Sequence, residues 1–454
     1  MAVWSRTNQQ EISSARRIDS EFFQPEYAFA EQRVRACDVA ELGRIGGFVP
    51  GPFGSAFHVK NYDFKSRYRY IRGKDVKPFF LLSDDNRYLP ASDFHRLSQY
   101  EVRKDDLMIS VVGTLGNVAI CTEEDVPAMF SCKSTLFRSK EADPYFLLAY
   151  LNSAFGLSCM LRRQRGAIPT GLNIEDLRTI PVPRFGETAE LSIAGLVRTA
   201  HKKLLTARQA CDSAQKLLAS ELGLDKLIFR KPVGYTARFS EVSLIQSIAA
   251  NRIDAQCFSP SALQYERVLS KMPSTQPLRF LTVAMINGAQ QEETPSGDIP
   301  YVSIKHIQQG EIVAEGNSRL FDGMPIAKRD DLLLAITGAT IGKIGIVSCY
   351  DELTFSGDML AIRTNGSIDP YFLLAFLSHR IGQVQLQRWI TGSTNGHLAP
   401  RDVGRVSIPR LDEAAEAEIA ALTRDSIVKI HELEQLLEVA KTRVEQLIEE
   451  AAGG

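Results

Sequence analysis

The chain has 454 residues, 44% apolar and 24% charged, with a formal net charge of −1; this is the composition of two or three globular domains and excludes a global basic field, though not a local basic patch. No apolar run approaches the roughly 20 residues needed to span a bilayer, and the opening MAVWSRTNQQEISSARR lacks the apolar centre of a secretory signal, so a cytoplasmic location without membrane contact is expected. Seven cysteines are scattered with no CxxC pair, which fits reduced thiols better than a disulfide frame or a zinc site.

In chain order, RIDSEFFQP (Arg17 to Pro25) comes first, then GPFGSAF (Gly51 to Phe57). The run KNYDFKSRYRYIRGKDVK (Lys60 to Lys77) interleaves basic and aromatic residues. Lysine and arginine neutralise phosphates and bind guanine edges, so Lys60, Arg67, Arg69, Arg72 and Lys74 are candidate nucleic-acid contacts. KDDLMISVVGTLGNVAI (Lys104 to Ile120) alternates apolar and small residues and predicts two strands joined at Gly113, with Thr114 beside the turn. DPYFLLAYL (Asp143 to Leu151) predicts a short helix with an aspartate N-cap and proline at the first helical position. Its apolar residues cover most of its surface, so it belongs in a core. LRRQRGAIPTGLN follows as a polar loop, with Arg162, Arg163 and Arg165 before Gly166 and Thr170 and Asn173 after it. The extended piece IPVPRF closes the block. Val197, Ala200, Leu204, Ala207, Cys211, Ala214 and Leu218 then alternate steps of three and four, the seam of a coiled coil.

The same order of blocks recurs. RIDAQCFSP (Arg252 to Pro260), RDDLLLAITGATIGKIGI (Arg329 to Ile346), DPYFLLAFL (Asp369 to Leu377) and GSTNGHLAPRDVGRVSIPRL (Gly392 to Leu411) match their predecessors at nearly constant offset. The chain is therefore two tandem copies of one module. Candidate contacts in the second are Lys305, His306, Thr340, Lys343, Arg388, Thr391, Ser393, Asn395 and His397. Ile430, Leu433, Leu437, Ala440, Val444 and Leu447 form a second seam. A narrow seam on a helix of roughly 45–50 Å demands a helix opposite, and the other copy supplies it. Val197, Leu204, Cys211 and Leu218 are expected to meet Leu433, Leu437, Ala440 and Val444. The expected fold is α+β. A first module (1–186), a long helix (187–222), a linker (223–236), a second module (237–411) and a second long helix (412–450) follow one another, and the two helices pair.

No catalytic constellation survives inspection. There is no GxxxxGK[ST] and no HExxH, the histidines are isolated, and GRIGGF (Gly43 to Phe48) has no strand–helix context. DPYF lacks the second proline of the amino-methyltransferase tetrapeptide. Neither a catalytic residue nor a metal-ligand set is expected. The glycine loops keep their position in both copies while their side chains differ, which suits two related modules reading two different targets.

These blocks, with the long helix after each module, resemble the DNA-specificity subunit of type I restriction–modification systems, a component of phage defence. The resemblance spans nearly the whole chain. It implies a non-catalytic subunit with two target-recognition domains in inverted orientation, each reading half of a split double-stranded DNA sequence, and long helices that pack antiparallel and set the gap between halves. It further implies two docked methyltransferase subunits that methylate adenines with S-adenosylmethionine, and a restriction–translocase subunit that uses ATP and Mg; those cofactors belong to the partners and this chain has none of its own. Two departures stand out: no GPFGS equivalent is evident in the second module, and IPxP becomes Ser407-Ile408-Pro409. Two other readings remain open, a specificity factor of another defence system and a tandem protein-interaction scaffold that does not bind DNA.

Overall fold

The computed structural model describes residues 7, 9, 12–13, 17–52, 54–166, 170–224, 234, 236, 255–392 and 395–453. The expected linker and the opening of the second copy at 252–254 lie mostly outside these residues. The chain forms two compact units, Met1–His201 with Leu433–Gly454, and Lys202–Glu432. Both mix helix and sheet.

In the first unit a five-stranded sheet has the spatial order Gly46–Pro50, Ser134–Ser139, Leu107–Ser110, Val118–Ile120, Phe79–Phe80. A three-stranded sheet has the order Arg87–Leu89, Tyr68–Ile71, Ala128–Phe130. The second unit repeats the plan with Thr282–Asn287, Met359–Thr364, Leu332–Ala335, Ile344–Ile346, Glu311–Ile312 and Ile307–Gln308 in one sheet. Gly316–Ser318, Ile299–Val302, Glu352–Phe355 and Ile326–Lys328 form its other large sheet. Register agrees as well as order. Leu107 faces Phe137 on one side and Ile120 on the other, and Leu332 faces Ile362 and Ile346. The hairpin expected at Gly113 is thus formed, in both copies.

The repeated DPYF segment makes the expected buried helix twice. In Pro144–Leu151 the Asp143 carboxylate accepts from the Tyr145 amide at 2.9 Å, and every residue from Tyr145 to Leu151 is buried. In Pro370–Ser378 Asp369 accepts from Tyr371 at 2.8 Å, with Tyr371 to Leu377 buried. The closing extended pieces also pair as strands, Pro181–Pro183 with Val39–Glu41 and Ser407–Pro409 with Thr275–Pro277. Among the described residues no single helix is long and apolar enough to cross a membrane.

The long helices are Glu187–Glu221, 35 residues, and Glu413–Gly453, 41 residues, about 50 and 60 Å of helix. Each begins at the same device. Arg184 grips Glu190 at 2.9 and 3.1 Å while Glu190 accepts from the Phe185 amide, and Arg410 grips Glu416 at 2.9 and 3.0 Å while Glu416 accepts from the Leu411 amide. Within the second unit the helices run antiparallel, since Lys203 pairs with Glu432 and Ser426 Oγ donates to the Ala207 carbonyl at 2.9 Å. Within the first unit, residues 433–453 dock on the module: Glu445 accepts from the Ala154 amide at 2.7 Å and Glu449 pairs with Arg33 at 3.2 Å. Val197, Leu204, Leu218, Leu433, Leu437, Ala440 and Val444 are buried, Leu218 in the core of the second module. Cys211 is not. It is exposed, and Ala210 takes its place between Ala207 and Ala214. In the second helix Ile448 rather than Leu447 is buried; which residues a long helix buries is set by the surface packed on it and not by a fixed seven-residue spacing.

The apparent loss of GPFGS in the second copy is also corrected. Gly51 follows strand Gly46–Pro50, and a Cβ there would fall 2.7 Å from the Ser131 carbonyl. Gly288 follows the equivalent strand Thr282–Asn287, and its Cβ would fall 2.0 Å from the Ser356 carbonyl. The glycine demanded by close backbone approach is kept, and the residues around it are not. Gly51→Val should therefore destabilise the first module by about 1–3 kcal/mol. Gly47→Val, where a Cβ meets nothing within 4 Å, should change stability by no more than about 0.5 kcal/mol. Chemical denaturation of the two variants checks this.

Candidate nucleic-acid interface

Each unit carries a small closed loop set against a hairpin turn. In the first, the backbones of Arg165 and Gly171 exchange two hydrogen bonds of 2.8 Å, and the loop tip at 167–169 lies outside the described residues. The Leu172 amide then donates to the Val111 carbonyl at 3.0 Å, which lays the loop on the turn after strand Leu107–Ser110. In the second, Thr391 and His397 exchange bonds of 2.9 and 2.7 Å, Leu398 donates to Ile336 at 2.9 Å, and Gly338 donates to Gly396 at 3.1 Å. Gly166 and Gly392 open the loops at φ of 90° and 97°, a region that L side chains rarely adopt, so glycine is required at both.

The frame is the same and the side chains on it are not. Thr114, Arg165 and Asn173 are exposed around the first loop, with Thr170 half-buried. Thr340, Lys343, Thr391, Asn395 and His397 are exposed around the second, and Ser393 lies outside the described residues. Arg165 rests on Asp176 at 2.7 Å, and Lys343 Nζ donates to the Ile304 carbonyl at 3.2 Å. Hydroxyl, amide, imidazole and cationic groups are thus displayed at equivalent places with different donor and acceptor patterns.

The basic run of the first module forms part of the three-stranded sheet and its approach. Lys60 and Arg67 are exposed, Arg67 lying 5.3 Å over the Tyr68 ring. Arg72 and Lys74 converge with Arg87 on the exposed Asp85, at 3.1 and 3.2 Å for the first two. The hydrogen bond from Arg72, then those from Lys74 and Arg87, hold the Asp85 carboxyl down at about 2. Lys60 to Lys77 holds seven basic and two acidic side chains, whereas the structurally equivalent Gln291 to Gln308 holds one lysine against three acids. A basic segment at this place is therefore a property of the first unit and not of the second. Lys305 accordingly sits on Glu315 at 3.2 Å and Glu293 at 3.6 Å.

Five candidates chosen by composition are built into the fold instead. Arg69 is 6% exposed and paired with Asp125. His306 is fully buried, and its Nδ1 accepts from the Ser303 amide at 2.8 Å. Arg163 is 3% exposed and bound to Glu31 at 2.9 and 3.1 Å, with Arg162 on the same carboxylate at 3.0 Å and 4.3 Å over the Phe22 ring. Arg388 is 7% exposed and bound to Glu266 at 3.0 Å. Arg388 stands at the offset of Arg162, and Glu266 at that of Glu31, so both units tie their first helix to the loop by one arginine–glutamate bond. Burial pushes the Glu31 carboxyl up, but hydrogen bonds and charge from Arg163, Arg162 and Arg35 outweigh it and hold the group down at about 2. The sequence could have hinted at this, because Glu31 and Glu266 hold the same place after each RID opening.

The fold also gathers groups that no sequence spacing suggested: Glu311, Cys349 and His431 come together in the second unit.

No family model matches the chain, and no curated protein matches it. Among solved structures it is similar to the S subunit of a type I restriction–modification system from M. genitalium, with 12% identity, 91% of this chain and 95% of that chain covered, and a TM-score of 0.43. It is also similar to a structure described as the basis of complex assembly and conformational transition of the type I R-M system (13% identity, 91% and 97% covered, TM-score 0.30). A third is the HsdS subunit from Thermoanaerobacter tengcongensis (14% identity, 92% and 96% covered, TM-score 0.29).

The arginines next to one another in sequence should behave differently. Arg163→Ala takes the two-bond partner from a buried carboxylate that Arg162 and Arg35 then compensate only in part, and should cost about 3 kcal/mol, while Arg165→Ala should cost no more than about 1 kcal/mol; thermal unfolding separates them. The folded-state Glu31 carboxyl lies at about 2, below its usual 4.5. Its stabilisation, about 3 kcal/mol, should therefore be complete above pH 4.5 and lost as pH falls through 2. Hydrogen exchange in helix Pro25–Arg35 across that range, compared with Glu31→Gln, checks this.

Proposed function

We propose that the chain is a sequence-specific DNA-binding specificity subunit of a type I restriction–modification system, reading a split target with one module per half-site. The observation that carries this reading is the pair of closed loops, set on identical backbone frames and presenting different polar side chains. Sequence is read by hydrogen bonds to base edges, while phosphate contacts fix position. Duplicating the frame and varying the groups on it produces two readers of different half-sites. Mismatches cost about 1–3 kcal/mol each and add roughly independently when far apart, so two short readers multiply discrimination.

Within this reading Thr114, Arg165, Thr170 and Asn173 face one half-site, and Thr340, Thr391, Ser393, Asn395 and His397 the other. Lys60, Arg67, Arg72, Lys74, Lys305 and Lys343 lie on the phosphate-facing side. Arg162, Arg163 and Arg388 act indirectly, by holding the loops, and Arg69 and His306 serve the fold. The chain supplies no chemistry of its own. Two methyltransferase subunits would bring S-adenosylmethionine and flip the target adenine out of the stack, and a restriction–translocase subunit would bring ATP and Mg. Double-stranded DNA and these partners place the complex in the cytoplasm.

Co-expression with the methyltransferase subunits, followed by sequencing of methylated adenines, should give one bipartite motif with an adenine modified in each half. On that motif, the double substitution Lys60→Ala with Arg67→Ala should weaken binding across all sequences and lower the slope of log affinity against log salt by about two. Asn395→Ala should instead relax discrimination in one half-site alone. A chain that binds no DNA at low salt in the assembled complex would leave the protein-scaffold reading in its place.

A further inference from the structure

Glu311, Cys349 and His431 each offer one ligand atom, and the three atoms lie within 4.8 Å of one another. Glu311 is in the strand Glu311–Ile312, opposite Ile346 of the strand Ile344–Ile346. Cys349 follows that second strand by three residues, and His431 is on the second long helix. His431 Nδ1 lies 3.0 Å and Cys349 Sγ 3.3 Å from Glu311 Oε1. Glu311 is fully buried, and Cys349 and His431 are half-buried.

We propose that these residues bind a divalent cation of the zinc class, with carboxylate, thiolate and imidazole as three ligands and water in the fourth position. Ligands at about 2.0–2.3 Å in a tetrahedron lie roughly 3.3–3.6 Å apart, so the two separations from Glu311, 3.0 and 3.3 Å, need open by only a few tenths of an ångström, while the imidazole and thiol, within 4.8 Å of each other, close on the ion. Sulfur and nitrogen donors select zinc-like ions over magnesium and calcium. Ser348 Oγ lies 3.2 Å from Cys349 Sγ and 3.3 Å from Glu311 Oε1, where it can orient both. Burial pushes the Cys349 thiol up to about 11. The thiol therefore carries its proton when no cation is bound. On binding, the aquo ion exchanges water for the three ligands, the sulfur keeps its electron pair as thiolate, and one proton leaves to solvent; no oxidant or reductant takes part.

The first unit makes the same helix-to-sheet contact without ligands. Phe80 lies opposite Ile120 as Glu311 lies opposite Ile346, and the His201 ring of the first long helix stacks on Phe80, 5.4 Å between centroids. A cation in the second unit would fasten helix to sheet where the first unit uses stacked rings.

Cobalt(II) titration of the full-length, reduced chain tests the site. One equivalent should bind and give tetrahedral d–d bands with a thiolate-to-cobalt charge-transfer band, and zinc should abolish both. Cys349→Ser should lose the charge-transfer band, His431→Gln should weaken binding by more than about tenfold, and Cys211→Ser at the exposed cysteine should match the parent. A parent with no charge-transfer band, or a Cys349→Ser variant that keeps it, overturns the proposal and leaves a hydrogen-bonded carboxylate–imidazole pair. If Cys349→Ser fails to fold, alkylation of Cys349 in the parent decides: zinc should slow it, and an unchanged rate overturns the site.

Discussion

The aspartate that heads each buried helix holds two elements at once. Asp143 caps the helix Pro144–Leu151 and also binds Arg198 of the first long helix, whose guanidinium lies 4.5 Å over the Tyr145 ring. Asp369 does the same with Arg424, which lies 4.4 Å over Tyr371. A carboxylate already accepting from a helix N-terminus is fixed in direction, and the arginine that meets it is fixed by the aromatic face below. The long helix cannot rotate on its module without losing the ion pair and the ring contact together. Seam and module are thus set in one rotational phase, and the other contacts of the helix follow from it.

Duplication preserved the interactions that hold the backbone and released those that face outward. Arg138 binds Asp106 and Arg363 binds Asp331, each across the sheet that supports the hairpin. Asp105 and Asp330, at the turns before those hairpins, share φ of 67° and 69°. By contrast the segment that is strongly basic in the first unit is acidic in the second, and the closed loops share no exposed side-chain pattern. A recognition surface is free to change when no fold contact depends on it. That separation is the physical requirement for a protein that must acquire new targets without refolding.

What the sequence made legible was what local chemistry dictates. Aspartate before proline, apolar residues on all sides and glycines between alternating strands each have one structural solution, and each adopted it; three–four spacing located the long helices but not every residue of their buried faces. Charge was harder to read. Arg162, Arg163 and Arg165 look alike in a row, but only the fold distinguishes Arg163, buried on a glutamate 132 positions away, from the exposed Arg165. Arg69 and His306 were opaque for the same reason. Gly288 was missed because a close approach to the Ser356 carbonyl constrains one residue and leaves its neighbours free, so no motif survives around it. The meeting of Glu311, Cys349 and His431 depends on a parallel strand pairing and a distant helix, which no spacing encodes.

The membership of the two units has a consequence for biosynthesis. The second unit is one continuous stretch, Lys202–Glu432, and the first is interrupted, needing Leu433–Gly454 to complete it. On a ribosome the earlier-encoded half must therefore wait, with the Ala154 amide and Arg33 lacking their Glu445 and Glu449 partners, until residues from far downstream emerge. The later-encoded half can close first. Vectorial synthesis and structural completion run in opposite order, and the nascent first half is the species that chaperones must shelter.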